Sequence, residues 1–165
     1  YTAYVEVIDS RYKILVLTEG SHPDIAAYTS ADEKNKNYAL EQVDVNDFKG
    51  NLEAYQLLVL FGAKENASIV NAIKKSKIPL LVFNMQQDIF RKFTLAFSFT
   101  SRGEQEEEVQ AIRNESFTKF TFSPDLLNLL DQVPPLYTPF GKYNLQMGAV
   151  TVLFQQIGGI SLAIL

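Results

Sequence analysis

The stretch Lys13-Ile-Leu-Val-Leu-Thr-Glu-Gly-Ser-His-Pro-Asp24 decides how this chain reads. A basic residue leads into four apolar ones, Ile14 to Leu17, and a polar loop follows that carries the chain's only histidine. A short unbroken apolar run of this kind suits a strand buried on both faces of a parallel sheet. Pro23 and Asp24 then favour the first turn of a helix, Pro because its missing N–H costs nothing there and Asp because it faces the positive helix end. In open α/β sheets, ligands sit beyond the carboxyl ends of the strands, where the loop Glu19 to Asp24 would lie.

The same rhythm continues outward from this stretch. Ile25 to Tyr28 continue the helix, Asn35-Lys36-Asn37 ends it, and Tyr38 to Val45 reads as a second strand. Asn46 to Asn51 is turn chemistry. Gln56 to Phe61 is a third buried strand stopping at Gly62. Asn66 to Ser76 then carries Ile69, Val70 and Ile73 at helical spacing, with Lys74, Lys75 and Lys77 at its cation-favouring end. Pro79 to Asn84 is a fourth strand, and Gln87 to Phe93 is expected to add a turn or two of helix. Strand and helix alternating at this spacing predict βαβ crossovers and an α/β fold with a mainly parallel sheet.

The second half reads differently, as β-rich additions. Thr94 to Thr100 alternates with Leu95, Phe97 and Phe99 on one face. A charged, solvated loop is expected over Arg102 to Glu108, then short β segments over Val109–Ile112 and Phe117–Phe122. Ser123-Pro-Asp125 is a capped start for a helix over Leu126 to Leu130. Pro134-Pro135 and Pro139 predict a rigid loop. Thr151 to Leu165 reads as a hairpin on the two-residue turn Gly158-Gly159.

Bulk properties narrow the classes. A chain of 165 residues, 47% hydrophobic and 21% charged, has the composition of an ordinary globular domain. Its net charge of −4 gives no electrostatic footprint for nucleic acid. With no cysteine, this chain has no disulfide, no thiolate zinc site and no cysteine nucleophile. No apolar run reaches the ~20 residues that span a bilayer as a helix. The chain starts at Tyr1 without methionine and stops within a strand-like run. We therefore expect a module of a longer polypeptide: residues 1–10 a linker or the last strand of a preceding domain, and residues 11–165 the α/β domain, truncated at its C-terminus.

Several side chains are candidates for chemistry. His22, with Glu19, Ser21 and Asp24, occupies the expected crevice loop; imidazole is the natural proton shuttle near neutral pH, and helix capping is its plainer role. Gly62 and Lys64 follow the third strand, on the same side. Glu104, Glu106, Glu107 and Glu108 offer oxygen ligands but lack the spacing of a calcium loop, so no metal is expected. Asn66-Ala-Ser68 and Asn114-Glu-Ser116 match glycosylation sequons. Phe117, Phe120, Phe122, Tyr137, Phe140 and Tyr143 suit either core packing and a partner surface or the stacking of sugars and bases. No glycine-rich phosphate loop is present, and no cofactor is expected.

The segment Ile78-Pro-Leu-Leu-Val-Phe-Asn-Met-Gln-Gln-Asp88 resembles the strand and elbow of class I glutamine amidotransferases, where an Ile-Pro strand leads to Gly-x-Cys-x-Gly. On that pattern Asn84 stands at the nucleophilic cysteine, while Val82 and Gln86 replace the two glycines. The late catalytic His and Glu of that family have no counterpart. A wider resemblance is carried by residues 13–28, by Asp47-Phe-Lys-Gly-Asn-Leu-Glu-Ala-Tyr55, by Pro134-Pro-Leu-Tyr-Thr-Pro-Phe-Gly-Lys-Tyr143 and by Leu153-Phe-Gln-Gln-Ile-Gly158. Together they look like the amidotransferase-like domain of large membrane-anchored envelope proteins of Bacteroidetes-type bacteria.

That resemblance implies a flavodoxin-like three-layer sandwich and a crevice lined by Glu19, Ser21, His22, Asp24, Gly62, Lys64, Asn84 and Gln86. It also implies a periplasmic domain of an anchored parent protein, with the cytoplasm as the alternative location. An amide side chain cannot replace the nucleophile, so no catalytic residue is assigned. The expected function is non-catalytic binding of a ligand or protein partner, without nucleic acid and without membrane contact by this domain; the oligomeric state stays open. The alternatives are a hydrolase-type enzyme using His22 with acidic residues at the crevice, and a purely structural or dimerisation domain.

Overall fold

A computed structural model describes residues 11–33, 35–62, 66–83, 97–145, 147, 149–155 and 161–164. The chain forms two compact units, Tyr1–Phe93 and Thr94–Leu165.

In the first unit, four strands make one parallel sheet: β1 (Tyr12–Thr18), β2 (Tyr38–Asp44), β3 (Leu57–Phe61) and β4 (Leu80–Phe83). Their spatial order is β2-β1-β3-β4. β1 is central, and its apolar run explains why: Ile14 to Thr18 are buried without a break, with Leu17 fully covered. β3 shows the same pattern, from Leu58 to Phe61. Each such leucine stabilises the fold by roughly 1.5–3 kcal/mol. The in-register pairs Ile14↔Leu57 and Val16↔Val59 lie on one face, where Tyr28 and Leu40 pack against them. Alternation sends Leu15, Leu17, Leu58 and Leu60 to the other face.

Helix α1 (Pro23–Glu33) joins β1 to β2, and α2 (Ala67–Ser76) lies between β3 and β4. The expected helix at Asn66 to Ser76 forms with Asn66 as its N-cap, the side chain accepting the Ser68 N–H. Ile69, Val70 and Ala72 are its buried stripe, and it ends on Lys77 in the left-handed region (φ 54°).

The second unit holds most of the strand residues, all in antiparallel pairs. The expected mainly parallel sheet therefore describes the first unit only. β5 (Phe97–Val109) pairs with β7 (Leu136–Leu145), while β6 (Ala111–Arg113), β8 (Thr151–Gln155) and β9 (Ser161–Ile164) form a three-stranded sheet in the order β6-β8-β9. Helix α3 (Pro124–Leu130) has Ser123 as its N-cap, as the sequence predicts.

Three local expectations are corrected here. The charged stretch Arg102 to Glu108 is strand rather than loop, with Glu106, Glu107 and Glu108 paired to Pro139, Thr138 and Tyr137. Its irregularity is confined to the register shift between Ser101 and Glu106, where Gly103 adopts φ 153°. Pro139 likewise lies inside a strand, opposite Glu106 and beside that shift, in a two-stranded sheet whose strands are both edges, the setting in which a strand tolerates proline. Phe117 to Phe122 are irregular, with a bend at Lys119-Phe120, and not a strand: the Asn114 side chain and carbonyl hold the N–H groups of Ser116 and Phe117 in the turn that leads into them, and the three phenylalanine rings pack on one another. The final hairpin forms, with Phe154 paired to Ser161, and its turn is expected at Gly158-Gly159. That turn and the expected helix at Gln87 to Phe93 lie outside the described residues.

Candidate functional site

The strand order reverses direction at β1: α1 leads outward to β2 on one side, and β3 and β4 build the other. Beyond the carboxyl ends of β1 and β3 stand Glu19, Ser21, His22, Asp24 and Gly62, five of the eight residues expected at the crevice. Lys64, Asn84 and Gln86 lie outside the described residues.

Both central strands end on a glycine with a left-handed backbone, Gly20 (φ 73°) and Gly62 (φ 58°). A Cβ at Gly20 would meet nothing within 4 Å, so backbone conformation rather than crowding selects glycine there. Thr18, buried beneath the loop, donates its hydroxyl to the Gly20 carbonyl at 3.2 Å. Gly62 donates its N–H to the Phe83 carbonyl at 3.0 Å, which extends the β3–β4 ladder by one step.

His22 caps α1. Its Nδ1 accepts the Asp24 N–H at 3.2 Å, and its carbonyl accepts from Ile25 and Ala26 at 3.1 and 3.4 Å. The imidazole is 42% exposed, its Nδ1 lies 3.6 Å from the Asp24 carboxylate, and its ring stands 5.1 Å from that of Phe61. Phe61 contacts Phe83 at 5.8 Å, and Phe83 contacts Tyr28 at 6.3 Å, so a row of rings runs from His22 across the ends of β3 and β4.

Sequence reasoning missed the residue that organises this loop, Asp44 at the end of β2. One carboxylate oxygen accepts the Gly20 N–H at 3.3 Å; the other accepts the N–H and side-chain amide of Asn46 at 2.8 and 2.9 Å. The Asn46 N–H first, and then the Gly20 N–H, hold the Asp44 carboxyl below its ordinary 3.8 against the opposing effect of desolvation. The signal was present as an Asp-x-Asn turn directly after a strand.

The first turn of α1 is not an anion site. Pro23 has no N–H, the Asp24 N–H is taken by His22 Nδ1, and those of Ile25 and Ala26 by the His22 carbonyl. Asp24 adds a carboxylate at that helix end, and Glu19 and Asp44 add two more nearby. A phosphate group would meet no open main-chain donor in that turn. Among the described residues no three His, Cys, Asp or Glu side chains converge on a metal-binding geometry.

The other candidates divide. Both sequon asparagines are used by the fold: Asn66 caps α2 and donates to the Val45 carbonyl at 3.3 Å, and Asn114 donates to the Thr151 carbonyl at 2.7 Å. Phe117, Phe120 and Phe122 line a cavity of about 430 Å³ together with Arg113 and Leu127. Tyr137 is 71% exposed and donates its hydroxyl to Glu108 at 3.3 Å.

No family model matches the chain, and no curated protein matches it at a significant level. The described residues hold no helix long and apolar enough to cross a membrane, which leaves membrane-crossing strands untouched as a question.

Proposed function

We propose that this chain is a non-catalytic, amidotransferase-like module of a larger envelope protein, seating a ligand or protein partner beyond the carboxyl ends of β1 and β3. The observation that carries the reading is His22: the chain's only imidazole uses Nδ1 to hold the first turn of α1. An imidazole so engaged is a cap rather than a base paired with a nucleophile.

The strand order β2-β1-β3-β4 supports a flavodoxin-like core, since that family of sheets shares it. With right-handed crossovers running outward in opposite directions, α1 and α2 fall on opposite faces and make three layers. The point of reversal between β1 and β3 is where such sheets receive ligands. Glu19, Asp24 and Asp44 around it, with the α1 donors already used, favour a neutral or cationic group over a phosphate. The envelope and periplasmic placement follows from the family resemblance.

A photo-crosslinking residue at Ser21 of the parent protein in its native cell tests this. A discrete adduct is expected from Ser21 and none from the same residue at Lys36, at the amino end of the sheet. The purified chain is expected to release no ammonia from glutamine. Equal labelling at both positions, or ammonia release, overturns the reading.

A further inference from the structure

The second unit carries a cavity of about 680 Å³ along β6, lined by Gln110 to Arg113 and closed in part by Leu130, Val133 and Leu136. It lies where a ladder stops. β7 begins with Leu136 opposite Val109; continuing that register would set Pro135 opposite Gln110 and Pro134 opposite Ala111. Neither proline has an N–H to donate, and Gln110 instead spends its side-chain amide on the Val133 carbonyl at 3.1 Å.

β6 is the outer strand of its sheet. Asn114 donates its N–H to the Val152 carbonyl at 3.0 Å, and the β6–β8 register sets Ile112 opposite Phe154. Antiparallel pairing alternates, so Ile112 also bonds toward β8, while Ala111 and Arg113 turn their main-chain N–H and C=O groups away from it. Ile112 and Leu136 are 42% and 39% exposed beside this edge. An open edge with an apolar wall is the geometry that accepts an added strand.

Charge identifies the occupant. Glu115 and Asp131 line the cavity against the single cation Arg113 among the described lining residues. Asp131 also stands at the carboxyl end of α3, whose last turn has no basic residue to offset the helix dipole. The whole second unit carries seven Asp and Glu against four Lys and Arg. We propose that β6 receives an extended, basic segment of a partner protein as an added strand, with an apolar side chain against Ile112 and Leu136 and a lysine or arginine facing Glu115 and Asp131.

The test titrates the full chain with a capped alternating lysine–valine hexapeptide, followed through amide resonances. Saturable shifts centred on Ala111 and Arg113, with slowed exchange of those two amides, are expected. The glutamate–valine analogue gives none, and N-methylation of every peptide nitrogen of the ligand abolishes the effect because no main-chain group is left to donate. The double substitution Glu115→Lys with Asp131→Lys weakens binding roughly tenfold, as loss of two facing charges should. Absence of saturable shifts, an equal response to the acidic or N-methylated peptide, or the same shifts on concentrating the chain alone, which would mean a second copy on that edge, overturns the proposal.

Discussion

The Nδ1 atom of His22 accepts the main-chain N–H of Asp24 at 3.2 Å, so the imidazole replaces the Ser, Thr, Asp or Asn that usually opens a helix. His22→Ala should therefore cost about 1 kcal/mol of stability. His22→Asn, which restores an accepting oxygen, should recover most of it. Denaturant unfolding of the three proteins measures this, and equal loss in both variants would count against the cap.

Asp44 ties the tip of β2 to the loop after β1. Because its folded-state carboxyl titrates below 3.8, its contribution is complete above that value and is lost as pH falls through the lower folded-state one. The stability difference between the native chain and Asp44→Asn should accordingly shrink with acidification below pH 3.8. Unfolding midpoints across an acid series report it.

Tyr55 behaves in the opposite sense. Its hydroxyl donates to Glu41 at 2.7 Å, and that bond, burial and the Glu41 charge push its pKa up to about 12. The protonated phenol is the stabilised form, so its contribution is full below the ordinary 10.0 and disappears as pH rises through about 12. Phenolate absorbance should include a late-titrating component from Tyr55, which Glu41→Gln moves back toward the ordinary value.

Gly141 admits no side chain. A Cβ there would stand 2.5 Å from both the Phe99 Cζ and the Thr100 carbonyl oxygen. Gly141→Ala should destabilise the second unit by roughly 1–3 kcal/mol, the usual range for overpacking. Phe99→Leu should relieve little of this, because the main-chain oxygen stays where it is; thermal unfolding of the single and double variants decides.

Lys77 ends α2 with a left-handed backbone that costs a non-glycine residue roughly 1 kcal/mol. Lys77→Gly should raise the unfolding midpoint, measured by thermal unfolding; Lys77→Asn, also tolerant of that conformation, is the companion measurement.

What the sequence disclosed was local. Ile14 to Leu17, Pro23-Asp24, Asn66 and Ser123-Pro124 announce strands and helix starts through near neighbours alone, and each element forms within a residue or two of its expected place. Glu106 to Glu108 read as loop because the partners that make them a strand, Tyr137 to Pro139, lie about thirty residues away. Phe117 to Phe122 read as strand because aromatic content favours sheets, whereas the Asn114 turn before them and ring-on-ring packing keep them out of a ladder. At the crevice, the histidine and its loop were legible from their place after a buried strand. Asp44 was legible only in its local half, the Asp-x-Asn turn; its bond to Gly20 depends on β2 lying beside β1, a pairing visible only in three dimensions.

The central position of β1 also sets an order of events during synthesis. Both its neighbours, β2 and β3, come later in the chain, so Ile14 to Leu17 leave the ribosome before either edge can be covered. Until Phe61 has emerged, this apolar strand keeps at least one edge open as a template for association with other chains. Productive folding of the first unit is thus a race between translation through residue 61 and capture of that strand, and conditions that slow elongation in this interval should lower the soluble yield.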